Sequence, residues 1–141
     1  MTNASRPLVL DASVAVAWCF KEEASARTDA VTDLVLDRGA IVPSLWHLEV
    51  ANVLIEAERR GRISAAQVAA RFEQLSRLPI QIDGETAVRA FHDIAALARA
   101  KKLNVYDAAY LELAQRNGSA LATCDANLTR AAQRIGFAIS T

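Results

Sequence analysis

The 141-residue sequence contains three prolines, five glycines and two cysteines, and each shortage narrows what the chain can be. With proline and glycine this scarce and scattered singly, no low-complexity segment or flexible linker can be drawn, and no internal repeat is present. Cys19 and Cys124 lack CxxC spacing and a nearby histidine pair, which favours two buried thiols over a disulfide or a zinc site. Long hydrophobic runs are absent too. The apolar share is 52%, yet no uninterrupted run approaches the ~20 residues that cross a bilayer. The polar opening Met1 to Arg6 is unlike a secretory signal. Together these point to a soluble, cytoplasmic protein without a membrane partner. Charge of one sign is also missing: sixteen basic and sixteen acidic residues cancel. A polyanionic partner would therefore need a local basic patch.

What is present is an alternation of short apolar runs with helical periodicity. The length fits one domain over residues 1–141. Leu8-Val9-Leu10 reads as a buried strand opened by Pro7 and closed by Asp11, and Ser13 to Phe20 as the helix it feeds. Ser25 caps a helix that runs to Gly39. Ala40-Ile41-Val42 is the next strand, followed by helices from Leu45 to Arg60 and from Ser64 to about Leu78. Pro79 to Ile82 forms a third strand. Val88, Phe91, Ile94, Ala95 and Ala98 recur at helical spacing in a single amphipathic helix from Glu85 to Lys102. Asn104 caps a helix from Val105 to Arg116, Ala120 to Thr123 is a fourth strand, and a last helix begins near Asp125. Phe137-Ala138-Ile139 is a fifth strand. Such alternation predicts an α/β/α sandwich with a mostly parallel central sheet of four to five strands.

Four acids stand where this arrangement makes them meaningful. In an open parallel sheet, ligands bind beyond the carboxyl ends of the strands. Asp11, Glu49 and Asp125 each follow a strand, and Asp107 begins a helix. Each also has a simpler explanation. Asp11 and Asp125 can be helix N-caps, and Asp107 can complement the helix dipole. Glu49, Asn52 and Glu56 can form the solvent stripe of an otherwise buried helix. If all four converge, two carboxylates ~5 Å apart repel by about 3 kcal/mol at an effective dielectric near 20. Protonation or a bound cation must relieve that repulsion. A hard divalent ion with oxygen ligands suits the donors, and no cluster has zinc-like spacing. His47 is expected on the apolar side of its helix and His92 at the surface. Arg59, Arg60 and Arg62 are either a phosphate-binding patch or solvated surface charge.

These same residues carry a resemblance. Asp11-Ala12-Ser13, Glu49-Val50-Ala51-Asn52, Tyr106-Asp107-Ala108-Ala109-Tyr110-Leu111-Glu112-Leu113-Ala114 and Leu121-Ala122-Thr123-Cys124-Asp125-Ala126-Asn127-Leu128 together resemble the motifs of PIN-domain proteins, in particular the VapC-type toxin group. Lys21 departs from the proline many relatives place before the two glutamates, and Cys124 fills a variable slot. By position Asp11, Glu49, Asp107 and Asp125 match the family's acidic quartet, and Ser13, Asn52 and Thr123 its supporting polar residues. The resemblance implies that the acids hold Mg²⁺ or Mn²⁺. It also implies an endoribonuclease restrained by a cognate antitoxin, and a homodimer. The expected chemistry is metal-assisted hydrolysis of an RNA phosphodiester, with Asp11 and Asp107 as direct ligands and Glu49 and Asp125 completing the cage. One rival reading is a non-catalytic module with a degenerate site. Another is an aspartyl-phosphatase, which would prefer an acid two residues after Asp11, where Ser13 stands.

Overall fold

The architecture follows from short apolar strands that cannot be stable alone and are covered by helices. The computed structural model of the chain describes residues 6–139, so the polar opening at Met1 to Ser5 lies outside the described residues. The elements are β1 (Leu8–Leu10), α1 (Ala12–Cys19), α2 (Ala26–Arg38), β2 (Ala40–Pro43), α3 (Trp46–Arg59), α4 (Ala65–Ser76) and β3 (Ile80–Asp83). They continue with α5 (Thr86–Arg89), a π-helical turn (Ala90–Ile94), α6 (Ala95–Lys101), α7 (Val105–Asn117), β4 (Leu121–Ala122) and α8 (Ala126–Arg134). Local chemistry sets several of these boundaries. Ser25 and Ser64 each start a helix with a reciprocal capping box, through Thr28 and Gln67 respectively. Gly39, at a φ of 78°, turns α2 directly into β2, a conformation that suits glycine.

All four strands are parallel, in the order β3-β2-β1-β4. Val9 pairs with Ile41 on one side and Leu121 on the other. α7 lies against β1 and β2, and α2 against β1, which makes an α/β/α sandwich. The core is built from the fully buried Leu8, Val9 and Leu10 together with Val35, Leu54, Tyr110, Leu111 and Leu128. Because the chain moves outward from β1 through β2 to β3 and returns to place β4 on the other side of β1, the strand order switches between β1 and β4. A crevice opens at such a switch point, outside the carboxyl ends of the strands. No helix among the described residues is long and apolar enough to cross a membrane.

Four expectations are corrected. The segment Phe137–Ile139 forms one isolated bridge, from Ala138 to Leu121, rather than a fifth strand. The helix expected over Glu85 to Lys102 is interrupted by the π-helical turn. Its extra residue rotates the preceding face by roughly 100°, so Val88 and Phe91 are 75% and 91% exposed while Ile94 and Ala98 stay buried. α3 is not mostly buried: Trp46, Val50, Leu54 and Ala57 face the core, but Leu48 and Val53 are exposed. His47 is likewise exposed, with its ring edge-on to Trp46 at 4.8 Å.

Candidate active site

β1 is three residues long, so the chain leaves the sheet at Asp11, and the backbone N–H of Asp11 still bonds the Ala122 carbonyl of β4 at 2.9 Å. This places Asp11 beside the end of β4, at the switch point. Although Asp11 is at the N-cap position of α1, its side chain makes no capping hydrogen bond there. It accepts instead from two hydroxyls, Ser13 Oγ at 2.6 Å and Thr123 Oγ1 at 2.7 Å, both on Oδ2. Each hydroxyl is oriented from behind. The Cys124 N–H donates to Ser13 Oγ, and the Asp125 N–H to Thr123 Oγ1, both at 3.0 Å. With its acceptor role filled, each hydroxyl turns its own hydrogen toward Asp11. Oδ1 has no side-chain donor among the described residues.

The other three acids reach the same place from different elements. Glu49 lies in the first turn of α3, after β2, and accepts from the Tyr110 hydroxyl of α7 at 2.5 Å. Asp107 lies in the first turn of α7, where its N–H bonds the Asn104 cap at 2.7 Å while its carboxylate stays half-buried. Asp125 does cap α8, with Oδ1 accepting from the Leu128 N–H at 2.8 Å. All four line one cavity of about 570 Å³, together with Ser13, Glu23, Val16, Val53 and Cys124. None of the side chains lining it is basic.

Carboxylates gathered in one cavity should resist ionising, and Asp107, Asp11 and Glu49 do. Burial pushes the Asp107 carboxyl up to about 6, and the negative charges of Asp11 and Asp125 push the same way. Burial also raises Asp11, against the opposing effect of the Ser13 and Thr123 hydroxyls. Glu49 is raised by burial, opposed by the Tyr110 hydrogen bond, with the charges of Asp11 and Asp107 adding to the rise. Among the described residues, no three His, Cys, Asp or Glu side chains stand close enough to hold a metal ion as they are. The donor set nevertheless fits one kind of ion. Mg²⁺ is commonly held by one or two carboxylates and keeps several waters. A cavity roomy enough for those waters, lined by carboxylates and no base, matches that requirement.

Of the polar residues expected in support, Ser13 and Thr123 are on Asp11, whereas Asn52 is exposed and does not line the cavity. Arg59 is paired with Glu56 at 2.7 Å, and Arg62 with Glu22 at 2.7 Å and Glu23 at 3.4 Å, so two of the three arginines read as compensated surface charge. Cys124 is exposed at the cavity rather than buried, and both thiols are free. The sequence reading passed over Glu23 and Tyr110. Tyr110 had a signal: it lies three residues after Asp107, on the same side of α7.

A family model described as the PIN domain matches residues 8–134. Ribonuclease VapC3 of Mycobacterium tuberculosis is 31% identical over 130 residues, which cover 92% of this chain and 90% of that protein. Ribonuclease VapC3 of Pyrobaculum aerophilum is 31% identical over 121 residues, covering 86% and 91% respectively. Among solved structures, PAE2754 from Pyrobaculum aerophilum superposes with a TM-score of 0.66 at 23% identity, covering 89% of this chain and 79% of that one, a likeness of fold.

Proposed function

The chain belongs to the PIN-domain family, and from that premise we propose that it is a metal-dependent endoribonuclease, the toxin of a type II toxin–antitoxin pair. One observation carries the reading: Asp11, Glu49, Asp107 and Asp125 share a cavity with no base to neutralise them. Asp11 and Asp107 would hold Mg²⁺ or Mn²⁺ directly, and Glu49 and Asp125 directly or through water. When bound, such a cation supplies positive charge to a phosphodiester and makes water more acidic at neutral pH.

The chain's own residues prepare that step. Ser13 and Thr123 fix the Asp11 carboxylate in one orientation, so it is already aimed before substrate arrives. Asp125 is held by the backbone N–H of Leu128 at the start of α8, so it does not depend on a mobile side-chain partner. The half-buried walls keep the carboxylates poorly hydrated, which strengthens their attraction for a cation.

The reading extends to the whole of residues 1–141 as one nuclease domain, active in the cytoplasm as a homodimer. The ribonuclease names of its relatives support RNA as the substrate. A cognate antitoxin that placed a basic side chain among the carboxylates would substitute for the cation and silence the site.

Purified chain should cleave RNA in the presence of Mg²⁺ or Mn²⁺ and stop on chelation. Asp11→Asn and Asp107→Asn should each lower the rate by at least about 100-fold, the upper end of the loss from a merely supporting contact. Circular dichroism would verify that both variants are folded. Unchanged rates in folded variants would refute the assignment, and a chain that binds antitoxin yet never cuts RNA would favour the non-catalytic module.

A further inference from the structure

Tyr110 is completely buried, at 0% exposure in the middle of α7. A phenylalanine would fill the same core volume, so packing alone does not explain the hydroxyl. Burying a hydroxyl without a partner is costly, and this one spends its hydrogen on Glu49 Oε1, 61 residues away in sequence. The Ala12 N–H and the Asp11 charge act on the same oxygen, so the hydroxyl also stands at the β1–α1 turn. One atom on α7 therefore bonds α3 and stands near the turn that carries Asp11.

We infer that Tyr110 is a positioning residue for Glu49, whose hydroxyl holds one carboxylate oxygen and leaves the other to a cation. The inference rests on the metal-dependent reading of the cavity. A carboxylate with two free oxygens on a flexible glutamate side chain must be ordered when an ion binds, and that ordering costs affinity. A buried donor fixed by the core performs the ordering in advance, as outer partners of metal ligands do.

The alternative is that the hydroxyl only anchors α3 on α7. The two roles separate in a titration of Mn²⁺ into the full chain, with free ion read by electron paramagnetic resonance. Tyr110→Phe should bind Mn²⁺ about tenfold more weakly, and in a Glu49→Ala background it should change the affinity less than about twofold. Parent-like affinity in Tyr110→Phe, or the same tenfold loss without Glu49, would overturn the inference. If Tyr110→Phe does not fold, Glu49→Asp tests the same contact, because a side chain one methylene shorter cannot serve hydroxyl and ion together. It should show the same loss, and parent-like binding would count against the inference. Asp11→Asn serves as control. If it too binds Mn²⁺ like the parent, the metal reading itself fails and takes this inference with it, whereas loss in Asp11→Asn alone removes only Tyr110.

Discussion

Asp107 shows most directly what an acidic cavity does to the molecule that contains it. An unfolded chain ionises this carboxyl near 3.8, whereas in the fold it ionises at about 6. Between those values the folded state holds more protons than the unfolded state, so stability must fall as pH rises through the window. Asp11 and Glu49 are raised as well and act in the same direction. In chelator, melting temperature should therefore rise on acidification from about pH 7 to about pH 5. After discounting for the half-open position of the side chain, Asp107 contributes on the order of 1 kcal/mol to that change. Asp107→Asn removes both the repulsion and the titration. It should melt higher than the parent at about pH 7 and lose its share of the pH dependence. A parent that becomes less stable over the same interval would contradict the clustering of charge.

α7 links the cavity to the sheet. Its first turns present Asp107 and Tyr110, and its last turns present Glu112 and Arg116 to β3. Arg116 bonds Asp83 at 2.8 Å and Glu112 at 2.9 Å, and both acids are almost wholly buried. Arg116→Met would strand two buried carboxylates, a change that usually costs several kcal/mol. Here about 2 to 3 kcal/mol is expected in urea unfolding, because Arg89 remains 3.8 Å from Glu112 and compensates in part. RNA cleavage by the folded variant should stay within about twofold of the parent. Much at this level could be read from the sequence, because it is local. β1 ends where Asp11 begins, and Ser25 and Asn104 announce their helices as N-caps. What could not be read depends on neighbours. Val88 and Phe91 have the spacing of a buried face and lose it to one π-helical turn, and Leu48 is apolar on a helix that only half enters the core. The partner of the Tyr110 hydroxyl is 61 residues away in sequence, so only folding sets it on Glu49.

The chain's zero net charge conceals a segregation. Arginines 59, 62, 77, 89 and 116 are in ion pairs, Arg62 with Glu22 and with Glu23 at the cavity, while the lining of the cavity itself holds acids and no base. Folding therefore concentrates repulsion at one edge of the sheet, which protonation relieves in acid and a guest cation relieves at neutral pH. Binding that exists only in the folded state adds to stability by mass action: about 2.7 kcal/mol at a free ion concentration ~100 times Kd. For a chain of this size that is a rise of about 5 to 10 °C in Tm. Mn²⁺ should produce this shift near neutral pH, and NaCl at matched ionic strength should not, because diffuse screening acts weakly on partly buried charges. Asp11→Asn should start from a higher Tm without metal and gain less on adding Mn²⁺, since the carboxylate it lacks both repels its neighbours and attracts the ion. An equal gain from NaCl would mean that the repulsion is spread over the surface, and that no single ion is drawn into the cavity.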